Sequence, residues 1–199
     1  MLMWITAYVT LLLLAMAAYA GPLEDCEQGQ DLDRRIRGCT ERIRQFPRDA
    51  SAYFNRGSAY LDAGEADRAI ADQTKVVQVD PGYAAAYFKR GMAYERKEQY
   101  DRAIADYTQA IEINPKFAAA YNARAQAYLK TAQTPLALRD AERAVLLSPH
   151  EADFVDTRGR LYEALGRTRE AIADYRRVLS ADPSDRSAIE GLKRLGAAP

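Results

Sequence analysis

Histidine is nearly absent from this 199-residue sequence, which has one, and cysteine is limited to two. The single histidine, His150, follows Pro149, with no cysteine or second histidine to act with it. We interpret His150 as a solvated turn residue. Structural zinc sites usually take four nitrogen or sulfur ligands, so the sequence predicts no metal site. Nothing in it indicates a cofactor either.

The sequence also lacks the short motifs of common enzyme chemistry. It contains no glycine-rich phosphate loop, no Gly-x-Ser-x-Gly elbow and no His-Glu-x-x-His helix. Carboxylates are plentiful, but several recur at one fixed interval, as structural residues do and catalytic residues seldom do: Asp72, Asp106, Asp140 and Asp174. We predict a protein that is not an enzyme and has no small-molecule substrate.

Neither sign of charge is in excess. The chain carries 28 basic and 28 acidic side chains, for a formal net charge of zero. Proteins that bind nucleic acid need a basic surface to neutralise phosphates, so nucleic acid is not an expected partner.

Charged side chains are missing from residues 1–20. This stretch has four consecutive leucines at 11–14 and ends in Ala18-Tyr19-Ala20 ahead of Gly21, a small-x-small pattern. We predict a secretory signal peptide over 1–20, cleaved after Ala20. An uncleaved membrane anchor is the alternative, because about 20 apolar residues can span a bilayer. Both interpretations export the rest of the chain, and the membrane is a partner only through this segment.

What the sequence does contain is a pattern that recurs every 34 residues, marked by prolines at 47, 81, 115, 149 and 183. In one copy Tyr87, Gly91 and Tyr94 fall at i, i+4 and i+7, which is one face of a helix. Ala103 and Tyr107 continue this spacing on a second helix. Proline disfavours helical conformation in its predecessor, so the second helix is expected to stop just before each proline.

These positions are an aromatic, a small residue, a tyrosine, an alanine, an aromatic, an alanine and a proline, and in this the chain resembles the tetratricopeptide repeat family. Gln73 and Ala141 depart from the pattern where an aromatic is usual. The resemblance implies an all-α fold, a right-handed α-solenoid of antiparallel helix pairs. Its four units are expected at 50–83, 84–117, 118–151 and 152–185.

Segments on either side of the four units are expected to cap them. Residues 21–49 repeat the second-helix pattern in part and predict a degenerate N-terminal helical cap. Cys26 and Cys39 lie in this cap, and disulfides persist outside the cytoplasm, so we predict that they pair; two free thiols are the alternative. Residues 186–199 predict a C-terminal capping helix and tail, with Ala188 and Leu192 on its apolar face.

Arginine recurs at the same interval as the periodic aspartates, at Arg56, Arg90, Arg124 and Arg158. We expect each guanidinium to reach one of those aspartates on a second helix, within its own 34-residue repeat or the adjacent repeat. The contact would be a half-buried, charge-assisted hydrogen bond.

The first helices of stacked repeats line a concave side, which is the candidate partner-binding groove. Its candidate residues are Phe54, Asn55, Ser58, Phe88, Lys89, Met92, Asn122, Gln126, Asp156 and Arg160. The phenylalanines and Met92 form a candidate anchor for an apolar side chain, unless Phe54 and Phe88 pack against neighbouring helices. Some family members grip a C-terminal carboxylate at these places. Asn55 and Lys89 match two of them, but alanines replace the other basic residues, so that clamp is incomplete.

Together these features predict an exported protein-interaction module, most simply in a bacterial periplasm, or membrane-anchored facing it if the signal is uncleaved. It would hold a peptide or helix of a protein partner in the groove. One alternative is a structural adaptor that assembles an envelope complex through its convex face or ends. Another is an enzyme, or a subunit that contributes side chains to one.

Overall fold

The computed structural model describes residues 24–27 and 31–198, and all regular secondary structure within them is helical. The expected signal peptide lies outside these residues. The helices are α1 (24–27), α2 (Leu32–Gln45), α3 (Ala50–Asp62), α4 (Ala66–Val79), α5 (Ala84–Arg96), α6 (Tyr100–Ile113), α7 (Ala118–Lys130), α8 (Thr134–Leu147), α9 (Ala152–Ala164), α10 (Thr168–Ala181) and α11 (Arg186–Arg194). None of the helices in this part of the chain combines the length and apolarity needed to cross a bilayer.

The second helix of each pair ends where the prolines predict. The C-capping residues are Asp80, Asn114, Ser148 and Asp182, each directly before a proline. Aspartate side chains cap the N-termini of three other helices, where the first backbone N–H groups have no partner within the helix. Asp31, Asp49 and Asp185 accept from the N–H three residues later, on α2, α3 and α11.

The turn inside each hairpin has one residue in the left-handed region, always at the same place in the repeat. These residues are Gly64 (φ 81°), Glu98 (φ 56°), Ala132 (φ 57°) and Gly166 (φ 70°). Glycine adopts this conformation without steric cost, whereas residues with a Cβ do not. The turn geometry is therefore set by the hairpin, and two of the four copies adopt it against the preference of their side chains.

The helices form two compact units, one ending at Ala93 and the other beginning at Tyr94. In each unit consecutive helices pack against one another as in a tetratricopeptide solenoid, for example α3 on α4 and α7 on α8, so the predicted all-α fold is confirmed. In the first unit the predicted disulfide joins Cys26 to Cys39, and both cysteines are buried against Ala52.

In the second unit the main core lies between α8, α9, α10 and α11. Tyr175 and Leu192 are fully buried there, together with Val145, Val155, Tyr162, Ala171, Val178 and Ala188. Ala188 and Leu192 come from α11, as expected for a helix that covers the last hairpin. Gly191 lies directly against the Tyr175 ring, where any Cβ would collide with it. The absence of a side chain at 191 therefore lets α11 dock closely.

Gln73 and Ala141, which stand where the repeat pattern usually has an aromatic, are accommodated differently. Gln73 is fully buried, and its Nε2 donates to the carbonyl of Phe54 at 3.1 Å, so the amide replaces ring packing with a hydrogen bond. Ala141 leaves room instead for Leu161, which is fully buried in the same cluster.

Candidate functional site

Arginine–aspartate ion pairs tie the two helices of a hairpin together. Each guanidinium donates two hydrogen bonds of 2.6–2.9 Å to a carboxylate sixteen residues later, as expected from the sequence. The pairs are Arg56–Asp72, Arg124–Asp140 and Arg158–Asp174. Their side chains are between 6% and 19% exposed, so this array is a structural brace rather than an open binding site.

A guanidinium nitrogen also reaches back to the preceding hairpin, a contact that was not predicted from the sequence. It donates to a threonine sixteen residues earlier in the pairs Arg56–Thr40 (3.1 Å), Arg90–Thr74 (3.2 Å) and Arg124–Thr108 (2.9 Å). The threonines are themselves 34 residues apart, and this recurrence in the sequence could have predicted the contact. One side chain therefore joins two neighbouring hairpins.

The first-unit groove candidates are partly used in packing. The Phe54 ring lies 5.0 Å from the Tyr83 ring, centroid to centroid and tilted by 40°. Met92 packs against a cluster that contains Leu61 and Ala69. Phe54 thus has an aromatic neighbour within its own unit, which supports the packing alternative for that residue.

The polar candidates in the first unit differ in exposure. Ser58 is buried, and its Oγ has no hydrogen-bond partner among the described residues. Asn55, Phe88 and Lys89 are half-buried.

The second unit does contain a pocket built from three successive first helices. It has a volume of about 160 Å³ and is lined by Glu95 from α5, Gln126, Leu129 and Lys130 from α7, and Thr157 and Arg160 from α9. Gln126 Nε2 donates to Thr157 Oγ1 at 3.2 Å, and Thr157 Oγ1 donates to the Asp153 carbonyl at 2.9 Å. These bonds hold α7 and α9 in a fixed spacing across the pocket floor.

The pocket carries one acidic and two basic side chains. Glu95 accepts a 2.7 Å hydrogen bond from the hydroxyl of Tyr107, and burial together with this carboxylate raises the pKa of Tyr107. Tyr107 therefore stays a donor at all ordinary pH values and holds Glu95 in place. Lys130 and Arg160 are exposed. The pocket thus presents a fixed acceptor and two accessible cations around the partly buried Leu129.

The structure brings two of the second-unit candidates, Gln126 and Arg160, into this pocket. Asn122 does not line it; it is buried, with Oδ1 lacking a hydrogen-bond partner in the described part of the chain. Asp156 accepts from Ser187 Oγ at 2.8 Å, and burial raises the pKa of its carboxyl. Asp156 therefore helps to position α11 and also stands apart from the pocket.

The other four lining residues were not among the ten groove candidates: Glu95, Leu129, Lys130 and Thr157. Thr157 occupies the same repeat position as the candidates Asn55 and Lys89. The 34-residue period alone could therefore have identified it as a candidate. Lys130 is the last residue of α7, and its contribution depends on where that helix ends.

Models described as tetratricopeptide repeat match residues 84–117, 106–139, 50–83 and 153–185. A search of curated protein sequences finds no significant match.

Several solved structures share the fold. MamA from Desulfovibrio magneticus RS-1, residues 41 to the end, has a TM-score of 0.73 at 21% identity over 82% of this chain and 92% of that one. YrrB, described as a TPR protein with an unusual peptide-binding site, has a TM-score of 0.67 at 23% identity over 80% of this chain and 91% of that one. The first TPR of Spaghetti (RPAP3), bound to the HSP90 peptide SRMEEVD, has a TM-score of 0.56 at 29% identity over 57% of this chain and 90% of that one.

The repeat period, the helix pairs and the matched residues agree with one another. The chain belongs to the tetratricopeptide repeat family.

Proposed function

We propose that this protein is an exported, non-enzymatic interaction module that binds a peptide segment of a protein partner on the faces of its first helices. Tetratricopeptide repeats are scaffolds whose function lies in surface residues rather than in the fold itself. The proposal therefore depends on a particular site in this chain.

The observation that carries the proposal is the pocket between α5, α7 and α9. Consecutive first helices contribute to it, and its floor is fixed by the Gln126–Thr157 hydrogen bond. A preformed site binds more tightly than one that must be ordered on binding, because less conformational entropy is lost. A volume of about 160 Å³ suits one or two side chains of a peptide rather than a whole small molecule.

The lining residues define the chemistry of the bound segment. Leu129 offers an apolar contact, while Lys130 and Arg160 favour a carboxylate. Gln126 uses its Nε2 for Thr157, which leaves Oε1 to accept an N–H from a bound backbone. We expect a segment with an apolar residue next to an acidic residue or a free C-terminus.

Related structures support a peptide as the ligand class. YrrB is described as having a peptide-binding site, and the RPAP3 repeat is bound to a peptide that contains two glutamates and ends in aspartate. The groove candidates of the first unit, above all Phe88 and Met92, remain a second proposed contact region for the same partner.

The disulfide supports the proposed location. Disulfides persist in oxidising compartments and are rare in the cytosol, so Cys26–Cys39 is compatible with an exported protein. We propose a bacterial periplasmic location, which the disulfide and the apolar, uncharged residues 1–20 support.

Peptide selection tests the function. The disulfide-bonded protein is used to select binders from a displayed library, and the affinity of the best peptide is measured by calorimetry for wild type and for Gln126→Ala/Arg160→Ala. We expect at least about a tenfold loss, because a charge-assisted contact and an amide contact are removed together. The control is Arg169→Ala, an exposed residue of α10, which should bind as wild type does. Selected peptides that bind both variants equally would favour the structural adaptor instead.

A further inference from the structure

One face of α8 carries two leucines and two arginines in a single stripe. Leu136, Arg139, Arg143 and Leu146 are separated by three, four and three residues, which places them on one side of the helix. Leu136 is 40% exposed and Leu146 is 70% exposed. Two large apolar side chains on the same exposed face as two arginines give that face both apolar and charged contact groups.

A hollow of about 380 Å³ lies beside this stripe, and Arg139 and Arg143 stand at it. Its floor is made by Tyr121, Arg124, Tyr128 and Asp140. The Arg124 guanidinium lies 5.8 Å from the centroids of both tyrosine rings and is bound by Asp140 and Thr108, so the floor is rigid. None of these residues lines the pocket between α5, α7 and α9.

The hollow has an excess of positive charge although the chain as a whole has none. It is lined by three guanidinium groups and one carboxylate, which leaves two positive charges in excess. Asp140 is occupied by Arg124. Among the contacts of the described residues, Arg139 has no carboxylate partner, and Arg143 only lies over the Tyr121 ring at 6.0 Å.

The equivalent positions of the other repeats show that the fold does not require this arrangement. In place of Leu136 the first two repeats have Arg68 and Arg102, which lie over Tyr60 at 5.3 Å and over Tyr94 at 5.7 Å. In place of Arg139 the other repeats have alanines, at 71, 105 and 173. The third repeat therefore has a leucine where the first two repeats have an arginine over a tyrosine ring, and a cation where the other repeats have alanine.

We infer that this α8 surface docks an acidic amphipathic helix of a partner protein. Two carboxylates of that helix bind Arg139 and Arg143 over the hollow, and two apolar side chains cover Leu136 and Leu146. A docked helix with leucines at i and i+10 and glutamates at i+3 and i+7 matches the stripe residue for residue. The spacing reads the same in both directions, so either helix orientation satisfies it. Arginine and tyrosine are also among the residues most enriched in binding hot spots.

The shape of the surface favours a protein over a membrane. The guanidinium groups stand at a recess, which a flat bilayer surface cannot enter but a carboxylate side chain can. The two leucines lie ten residues apart, about 15 Å along the helix axis, which is the span of a short helix. Arginine binds a carboxylate through two parallel hydrogen bonds, which gives the contact its direction.

The probe is a capped alanine-based helical peptide of about 20 residues with leucines at i and i+10 and glutamates at i+3 and i+7. Its affinity for the full-length protein is measured by fluorescence anisotropy. We expect saturable binding that is at least about tenfold weaker for Arg139→Gln/Arg143→Gln, and weaker also for Leu146→Ser. The peptide with both glutamates changed to glutamine should not bind. Circular dichroism confirms that the exposed substitutions leave the helices intact.

The matched control is Arg169→Gln/Arg186→Gln, which removes the same two charges from exposed positions elsewhere in the second unit. It should bind the probe as wild type does. If both double variants bound the probe equally weakly, the loss of affinity would follow from net charge alone, and the inference would be overturned. Binding to phosphatidylglycerol vesicles, but not to the probe, that is lost in Arg139→Gln/Arg143→Gln would overturn it as well. Self-association lost in that variant, with no binding of the probe, would also overturn it.

Discussion

The hydroxyl of Tyr175 on α10 donates to the carboxylate of Glu163 on α9 at 2.6 Å, and the same carboxylate accepts two bonds from Arg194 on α11, at 2.7 and 2.9 Å. One side chain therefore joins three helices. The Arg194 bonds, and to a smaller extent the Tyr175 bond, lower the pKa of Glu163, whereas burial and Glu163 raise the pKa of Tyr175. The folded state thus prefers Glu163 ionised and Tyr175 protonated.

Glu163→Gln should loosen α11 in a pH-dependent way. A carboxyl whose pKa is lower in the folded state stabilises that state above its unfolded pKa, here near 4.5, and loses this effect as the pH falls through the folded pKa. We expect the variant to unfold more easily by about 1 kcal/mol at pH 7, since Arg194 is half exposed and solvent screens the pair. The difference from wild type should shrink as the pH falls below 4.5.

Hydrogen exchange of the α11 amides and urea unfolding at pH 7 and at low pH measure this effect. The control is Glu170→Gln, whose partner Arg167 lies three residues away in an exposed pair. It should leave α11 protection unchanged. A Glu163→Gln difference that stayed constant across the pH range would contradict the role given to this carboxylate.

Asp140→Asn should be more damaging than any change in an exposed ion pair. Arg124 would keep its place between the tyrosines and near Thr108, but without a counter-charge in a position where its side chain is 15% exposed. Removing one member of a buried pair leaves a desolvated charge, and we expect a loss of about 2 kcal/mol in urea unfolding. The double change Arg124→Leu/Asp140→Leu should recover part of it. A single-variant loss no larger than that of Glu41→Gln, in an exposed pair, would contradict this account.

Ala132→Gly should stabilise the third hairpin, although glycine usually weakens proteins. Ala132 has φ 57°, which costs an alanine about 1 kcal/mol and glycine almost nothing. We expect a rise in the free energy of unfolding of about 0.5–1 kcal/mol, seen as a higher Tm, and an opposite change for Gly64→Ala. Ala173→Gly, the same substitution within α10, serves as the control and should destabilise by about 1 kcal/mol. A lower Tm for Ala132→Gly would show that the turn is not strained.

The disulfide should stabilise the packing of α1 against α2, because Cys26 lies in α1 and Cys39 in α2. Thiol titration of the unfolded, unreduced protein is expected to find no free thiol. Reduction should lower the free energy of unfolding by about 3 kcal/mol in the chain-entropy model, with the largest gain in hydrogen exchange in α2. The Cys26→Ser/Cys39→Ser variant should show the same change and no response to reductant. Two reactive thiols before reduction would disprove the pairing.

The 34-residue period was sufficient to predict the helix pairs, because spacing and proline act through local backbone chemistry. Residue types at one offset also predicted the Arg124–Asp140 contact, since opposite charges that recur together have few other uses. The Glu163–Arg194 contact could not be predicted in this way, because it links the last repeat to a helix outside the period. The hollow beside α8 escaped notice for a related reason: it lies where the third repeat departs from the others, at Leu136 and Arg139.

The groove shows the same limit. The period selected Gln126 and Arg160, which meet in one pocket, but also Asn122, which is buried. A helical offset places a residue on a face, whereas its depth depends on the size of its neighbours on the next helix. Which groove candidates are exposed and which are buried could therefore be determined only from the structure.

An NMR titration of the labelled protein with the best selected peptide tests the central claim most directly. The proposed function requires the largest amide shifts at Gln126, Leu129, Thr157 and Arg160, with these shifts absent in Gln126→Ala/Arg160→Ala. Saturating shifts confined to the second helices, α8 and α10, with none at those four residues, would contradict peptide binding by the first-helix faces.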